Sequence, residues 1–160
     1  MKRIFIVLVA VAVFAFPLIA RSHIVQVVED NTSAFVSTVV GDVEISTATI
    51  TSTGGLLFID AQVVSVIAGA SSGPDSRHHD HLVKLWRRSS TPLITPDVLL
   101  SESEVELSVR KKGEQSKASH YVKAVEDLVA GTYEYFVTLA VHPAGSPDAR
   151  NRVLRIVEHN

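Results

Sequence analysis

The chain has 160 residues, with 15 Lys and Arg against 17 Asp and Glu, a formal net charge of −2 and no Cys. Without a basic excess there is no ground for a nucleic-acid partner. The lack of Cys excludes disulfides, lipidation at a lipobox and thiol chemistry, so stability must come from packing, subunit association or a bound ion.

Met1-Lys2-Arg3 precedes seventeen residues, Ile4 to Ala20, that carry no charge. A short basic head before an apolar run is what export machinery reads, which places the working part of the chain outside the cytoplasm, extracellular or at the cell surface. Ala20 suits a cleavage site, although Leu18 two positions earlier is larger than the usual small residue. Pro17 favours an extended stretch near the end of the run. The run also reaches the lower edge of the roughly 17–25 residues that span a bilayer, with Arg21 at the far boundary. Three fates are open for residues 1–20: removal as a signal peptide, retention as a signal anchor touching membrane through residues 4–20, or burial as a core helix. A retained helix ahead of a β head would be pilin-like, but Arg3 runs straight into Ile4 where a pilin has a small residue before its cleavage point.

Residues 21–160 are read as one domain, long enough for a single core. With Lys2 and Arg3 removed, 13 basic residues face 17 acidic ones, a balance that favours solubility. Asn31-Thr32-Ser33 is a glycosylation sequon. Beyond it the dominant period is two. A short strand is predicted over Phe35–Val40, and Gly41-Asp42 turns the chain. Val43, Ile45, Thr47 and Thr49 form a β-branched alternating set, closed by Thr53-Gly54-Gly55. The more continuously apolar Leu56–Ala68 is expected to be a central strand covered on both faces. After an interruption over Gly69–Asp80, Leu82–Trp86 reads as a short strand. Val105, Leu107 and Val109 alternate with Glu104, Glu106, Ser108 and Arg110, and Lys111-Lys112-Gly113 ends that run.

Over Lys117–Ala130, helical and strand spacings compete. Tyr121, Lys123 and Val125 fit a strand, and Ala130-Gly131 leads directly into Tyr133, Tyr135, Val137, Leu139 and Val141, so strand then turn is expected. A second interruption, Pro143–Asn151, precedes a last strand at Leu154–Val157. Eight or so short strands with such turns predict an all-β fold, a jelly-roll or immunoglobulin-like β-sandwich preceded by an N-terminal hydrophobic signal or anchor helix.

Two stretches carry a likeness. Leu82-Val83-Lys84-Leu85-Trp86-Arg87-Arg88, then Ser90-Thr91-Pro92-Leu93, reads as a strand ending in a basic turn. Leu128-Val129-Ala130-Gly131-Thr132-Tyr133-Glu134-Tyr135 and the closing Asn151–Glu158 follow. Together they resemble the jelly-roll sandwiches of tumour-necrosis-factor and C1q-type proteins. The resemblance implies an architecture, often trimeric, that presents loops to partners. It transfers no site residue. The Ala-Gly-Thr-Tyr-x-Tyr pattern also recurs in immunoglobulin-like sandwiches.

The densest set of potential ligands is His78-His79-Asp80-His81. Imidazole and carboxylate suit Zn, Cu or Ni, which makes His79, His81 and Asp80 the candidate divalent-metal ligands. Alternation along a strand lets His79 and His81 converge while His78 does not. The plainer reading is a polar loop leading into Leu82, and histidines there would also make an assembly contact respond to pH near 6. Glu102, Glu104 and Glu106 share one strand face without a calcium loop around them, and like charges on an edge discourage stray strand pairing. Arg87-Arg88 and Lys111-Lys112 read as surface charge, or as contacts for phosphate, sulfate or acidic glycans. Trp86, the sole tryptophan, is expected in the core, with a sugar-stacking platform as the alternative. Tyr133 and Tyr135 read as core or corner residues whose hydroxyls seek a backbone partner.

No Gly-x-Ser-x-Gly elbow, His-Glu-x-x-His or phosphate-cradling glycine loop is present. The expectation is therefore a non-enzymatic secreted or surface protein without a cofactor, acting through self-association or a surface partner. A metal- or glycan-binding module and a pilin-like filament subunit are the alternatives.

Overall fold

The computed structural model describes residues 24–32, 36–37, 42–68, 77–89, 96–110, 113–142 and 148–160. The apolar run over residues 4–20 and its expected helix lie outside them. The described residues form nine strands in order: β1 (Ile24–Thr32), β2 (Val36–Ser37), β3 (Val43–Ser52), β4 (Leu56–Ala68), β5 (Arg77–Arg87), β6 (Val98–Val109), β7 (Gln115–Asp127), β8 (Gly131–His142) and β9 (Asp148–His159). One antiparallel sheet runs β1-β9-β4-β7 with β2 also on β9, and the other runs β3-β8-β5-β6. Among the described residues there is no helix, and the protein is an all-β sandwich.

Alternation builds the interior. Leu57, Ile59, Ala61 and Val63 of β4 meet Val83 and Leu85 of β5 and Tyr135, Val137 and Leu139 of β8 in one core shared by both sheets. The ambiguous 117–130 stretch is a strand: His120 and Val122 point in while Tyr121, Lys123 and Val125 point out. Strand β1 was not among the expected strands, and the strand expected over Phe35–Val40 is described only at Val36–Ser37.

Three expectations are corrected. The set Val43, Ile45, Thr47 and Thr49 does not share a face. A bulge between Glu44 and Ser46 buries both Ile45 and Ser46, after which Ala48, Ile50 and Ser52 point inward and both threonines outward. Strand β4 is central, yet its outer face is open at Leu56 and Phe58. The strand covered on both faces is β8, where every residue from Tyr135 to Val141 is buried. Finally, β5 begins at Arg77, so the histidines expected in a polar loop lie within a strand.

Polar contacts tie the two sheets together. Tyr135 donates to Glu126 Oε2 (2.8 Å), and Arg87 Nε pairs with Glu126 Oε1 (3.0 Å), joining β8 and β5 to β7. Burial, and then this hydrogen bond, push the Tyr135 hydroxyl well above its ordinary pKa. Ser46 Oγ and the Thr47 amide both donate to Asp30, linking β3 to β1.

At the β3–β4 turn, Glu158 Oε1 accepts from Ser52 Oγ (2.9 Å), Thr53 N (2.8 Å), Thr53 Oγ1 (3.0 Å) and Gly55 N (3.3 Å). Gly54 sits at φ +100°, which favours glycine, and the next glycine is needed for space. A Cβ on Gly55 would run into the His159 carbonyl oxygen and the Asn160 side chain. Gly55→Ala is therefore expected to lower stability by about 1–3 kcal/mol, as overpacking against fixed backbone does. Thermal unfolding checks this, and an unchanged midpoint would refute the close approach.

Candidate functional site

Three regions bring chemistry-bearing side chains together. The first is internal. On β5, His79 and His81 point inward and are buried, whereas Asp80 faces the other way, so the three proposed ligands do not converge. Among the described residues no group of three or more His, Asp and Glu side chains is placed to hold a metal ion. His81 is 0% exposed, and among the described residues neither ring nitrogen has a hydrogen-bond partner. Burial, with the nearby His120 and His79, lowers its pKa from 6.5 to about 4. His78 stays on the surface, where Nδ1 lies 2.7 Å from Glu106 Oε1.

Sequence reasoning passed over His120 of β7. Its Nδ1 lies 3.2 Å from the Ser103 carbonyl oxygen on β6. Because a carbonyl only accepts, Nδ1 carries the proton and Nε2 accepts from Ser65 Oγ at 2.9 Å. Burial lowers the His120 pKa, and the Ser103 contact opposes that shift. A serine hydroxyl on an imidazole resembles half of a nucleophilic site. However, Ser65 and His120 are both 0% exposed, so no substrate reaches the hydroxyl, and the pair works as a bridge between β4, β7 and β6. The alternation of His120 with Val122 was the available signal for its inward position.

The second region is the outer face of the β1-β9-β4-β7 sheet. Register places Val27, Val157, Phe58 and Val125 in one row across the four strands. Val27 (50%), Phe58 (40%) and Val125 (59%) are exposed, and Ile24 and Leu56 extend the apolar area toward His159. The His159 ring meets Phe58 edge-on at 4.9 Å. The adjacent row is Glu29, Arg155, Asp60 and Lys123, four charges of alternating sign. Arg155 pairs with Asp60 at 3.1 Å. Both rows line a surface groove of ≈ 470 Å³. The apolar density of Leu56–Ala68 on both faces was the sequence signal for this surface.

The third region is the outer face of the other sheet. Trp86, expected in the core, stands here instead, half-buried beside Phe136 with ring planes 7° apart and centroids 6.2 Å apart. Its Nε1 donates to Thr138 Oγ1 at 3.1 Å. Lys84 Nζ lies 5.8 Å from the Trp86 ring centroid and pairs with Asp42 (3.0 Å). Arg88 covers Phe136 at 4.3 Å and pairs with Glu44 (2.6 Å) and Glu134 (2.9 Å). The hydrogen bond that Arg88 donates to Glu44 leads the forces that raise the Arg88 pKa. Arg87 and Arg88 are thus committed to carboxylates rather than being free surface charge. On the neighbouring edge strand, Glu102, Glu104 and Glu106 share the exposed face of β6. Tyr133 donates to the Val129 carbonyl (2.8 Å), the backbone partner expected for a corner tyrosine. No protein-family model matches the chain, and no curated protein matches it in sequence.

Proposed function

We propose that this chain is a non-enzymatic extracellular or cell-surface jelly roll that acts by binding a second copy of itself through the outer face of the β1-β9-β4-β7 sheet. The jelly-roll form is favoured over the immunoglobulin-like one by strand order. From β3 onward only β5 and β6 are consecutive strands within one sheet, and every other connection crosses the sandwich. Immunoglobulin-like sandwiches instead keep several consecutive pairs together.

The observation that carries the association is the pair of rows on that face. A two-fold axis along the strands reverses the order of a row while keeping its height. Glu29 then meets Lys123 of the second copy, and Arg155 meets its Asp60, while Val27 meets Val125 and Val157 meets Phe58. The face is complementary to itself in charge and in polarity, which is what an isologous contact requires. Exposed apolar side chains in one contiguous area are otherwise unfavourable on a monomer's surface.

Light scattering coupled to size exclusion at micromolar concentration is expected to give a mass above that of one chain. Phe58→Asp is expected to return the monomer by placing a charge in the apolar row, with circular dichroism unchanged. The double exchange Asp60→Arg with Arg155→Asp ends the alternation along the row but still opposes unlike charges across the two-fold axis, so it is expected to keep the assembly. A monomeric wild type at these concentrations would overturn the reading.

A further inference from the structure

We propose that the groove on the opposite outer face, floored by Trp86 and Phe136, binds a single neutral pyranose unit of a glycan. The groove has a volume of ≈ 260 Å³ and is lined by Asp42, Glu44, Trp86, Asp97, Phe136 and Thr138. That is below the roughly 300–1,000 Å³ that holds a drug-sized molecule, so it accommodates one small ring.

Three features select the ligand class. The half-buried indole presents apolar, electron-rich surface for the C–H face of a sugar, and the buried Phe136 ring backs it from beside. Around them stand carboxylates that accept from hydroxyls: Asp42 and Glu44, each held by a cation, and Asp97, whose Oδ1 takes the Ser89 amide at 2.8 Å. Beside those lie the Lys84 and Arg88 cations, which donate to hydroxyls. A hydroxyl both donates and accepts, so a polyhydroxylated ring uses acids and bases alike.

Charged ligands fit less well. An incoming ammonium would meet Lys84 and Arg88, which already occupy cation positions near the two rings. An anionic sugar would meet three carboxylates. A neutral pyranose meets neither penalty.

The site is independent of the self-association surface, because it lies on the other sheet. If copies join through the β1-β9-β4-β7 face, the Trp86 grooves point outward from the assembly. Several weak sugar contacts then add through avidity when the glycan presents repeated units.

Trp86 is the only tryptophan, so its emission reports on this groove directly. The full chain, as exported, is titrated with methyl glycosides of glucose, galactose, mannose and N-acetylglucosamine. Tetramethylammonium and a sulfated monosaccharide are titrated in parallel. The expected result is a saturable change in emission with at least one neutral glycoside, at millimolar dissociation constants typical of a small contact. Asp97→Asn, which keeps the fluorophore, is expected to weaken that binding at least tenfold. Trp86→Ala, followed by calorimetry with the same glycoside, is expected to abolish it. Saturation by tetramethylammonium or the sulfated sugar in place of every neutral glycoside would overturn the proposal, as would no saturable response to any neutral glycoside. Equal binding by wild type and Trp86→Ala would overturn it too. Self-association measured in the same samples separates this outcome from failure of the assembly reading.

Discussion

Acidification from pH 7 to pH 4 is expected to remove roughly 3 kcal/mol of folding stability through His81 alone. Its pKa falls from 6.5 in the ordinary imidazole to about 4 in the folded protein, because burial, then His120 and His79, oppose the charged ring. The folded chain therefore refuses a proton that the unfolded chain accepts. Stability from this group is complete above pH 6.5, declines as pH falls, and has gone once pH drops below about 4. The surroundings offer no compensation. Strand β6 places Val105 beside His81, β8 places Val141 there, and the imidazoles of β5 and β7 add like charge if they protonate.

His120 shifts in the same direction and steepens the loss. Urea unfolding followed by Trp86 emission at pH 7, 5.5 and 4 measures the decline. His81→Leu is expected to flatten it and to match or exceed wild-type stability at pH 7, since two buried ring nitrogens without partners are removed. A His81→Leu curve with the wild-type slope would refute the account.

How far this behaviour was readable in the sequence depends on what alternation can report. Period two placed His79 and His81 on one face and His78 on the other, and the strand carries them so. It did not say which face is inside, because Asp80 and Lys84 made the segment look solvated. The answer came from the opposite sheet, whose β4 packs Leu57, Ile59, Ala61 and Val63 against the face of β5 that carries Val83 and Leu85 along with His81. Trp86 failed for the complementary reason. An indole in an apolar strand suggests core, yet it alternates with Leu85, and Leu85 took the interior.

The strand at 115–127 was half legible: its spacing allowed a strand, but Tyr121 and Val125 face out while Ser116 and His120 face in, so residue type did not mark the inner face. The bulge at Ile45-Ser46 was not, since one extra residue moves every later side chain to the other face without leaving a mark in composition. The rows on the β1-β9-β4-β7 face were likewise hidden. Each draws its residues from strands far apart in sequence, and only register brings Glu29, Arg155, Asp60 and Lys123 into line.

A second large effect is expected at the other end of the sandwich. Glu158→Ala is expected to cost roughly 4 kcal/mol, lowering the urea midpoint by about 2 M for a domain of this size. The carboxylate is 0% exposed and gathers donors from Ser52, Thr53 and Gly55 onto one oxygen. Alanine leaves those amides and hydroxyls at the β3–β4 turn without their acceptor. Glu158→Gln keeps an acceptor oxygen but not the charge, so about half that loss is expected.

The two carboxyl states also separate this effect from that of His81. Burial alone would raise the Glu158 pKa, but the hydrogen bonds from Ser52, Thr53 and Gly55 outweigh it and hold the group below its ordinary value of 4.5. Its contribution is complete above that value and is lost as pH falls further, beyond the upper part of the His81 window. Glu158→Gln should therefore flatten the acid limb of the stability curve and leave the limb above pH 5 to His81.

Coupling gives the sharper test. Gly55 lets the His159 carbonyl approach the same turn that Glu158 holds, so both residues fasten one junction between β9 and the β3–β4 turn. Once Glu158→Ala has loosened that junction, adding Gly55→Ala should cost less than it does alone. Strict additivity of the two losses would mean that the turn and the end of β9 are held independently, and the pinning role of Glu158 would fall.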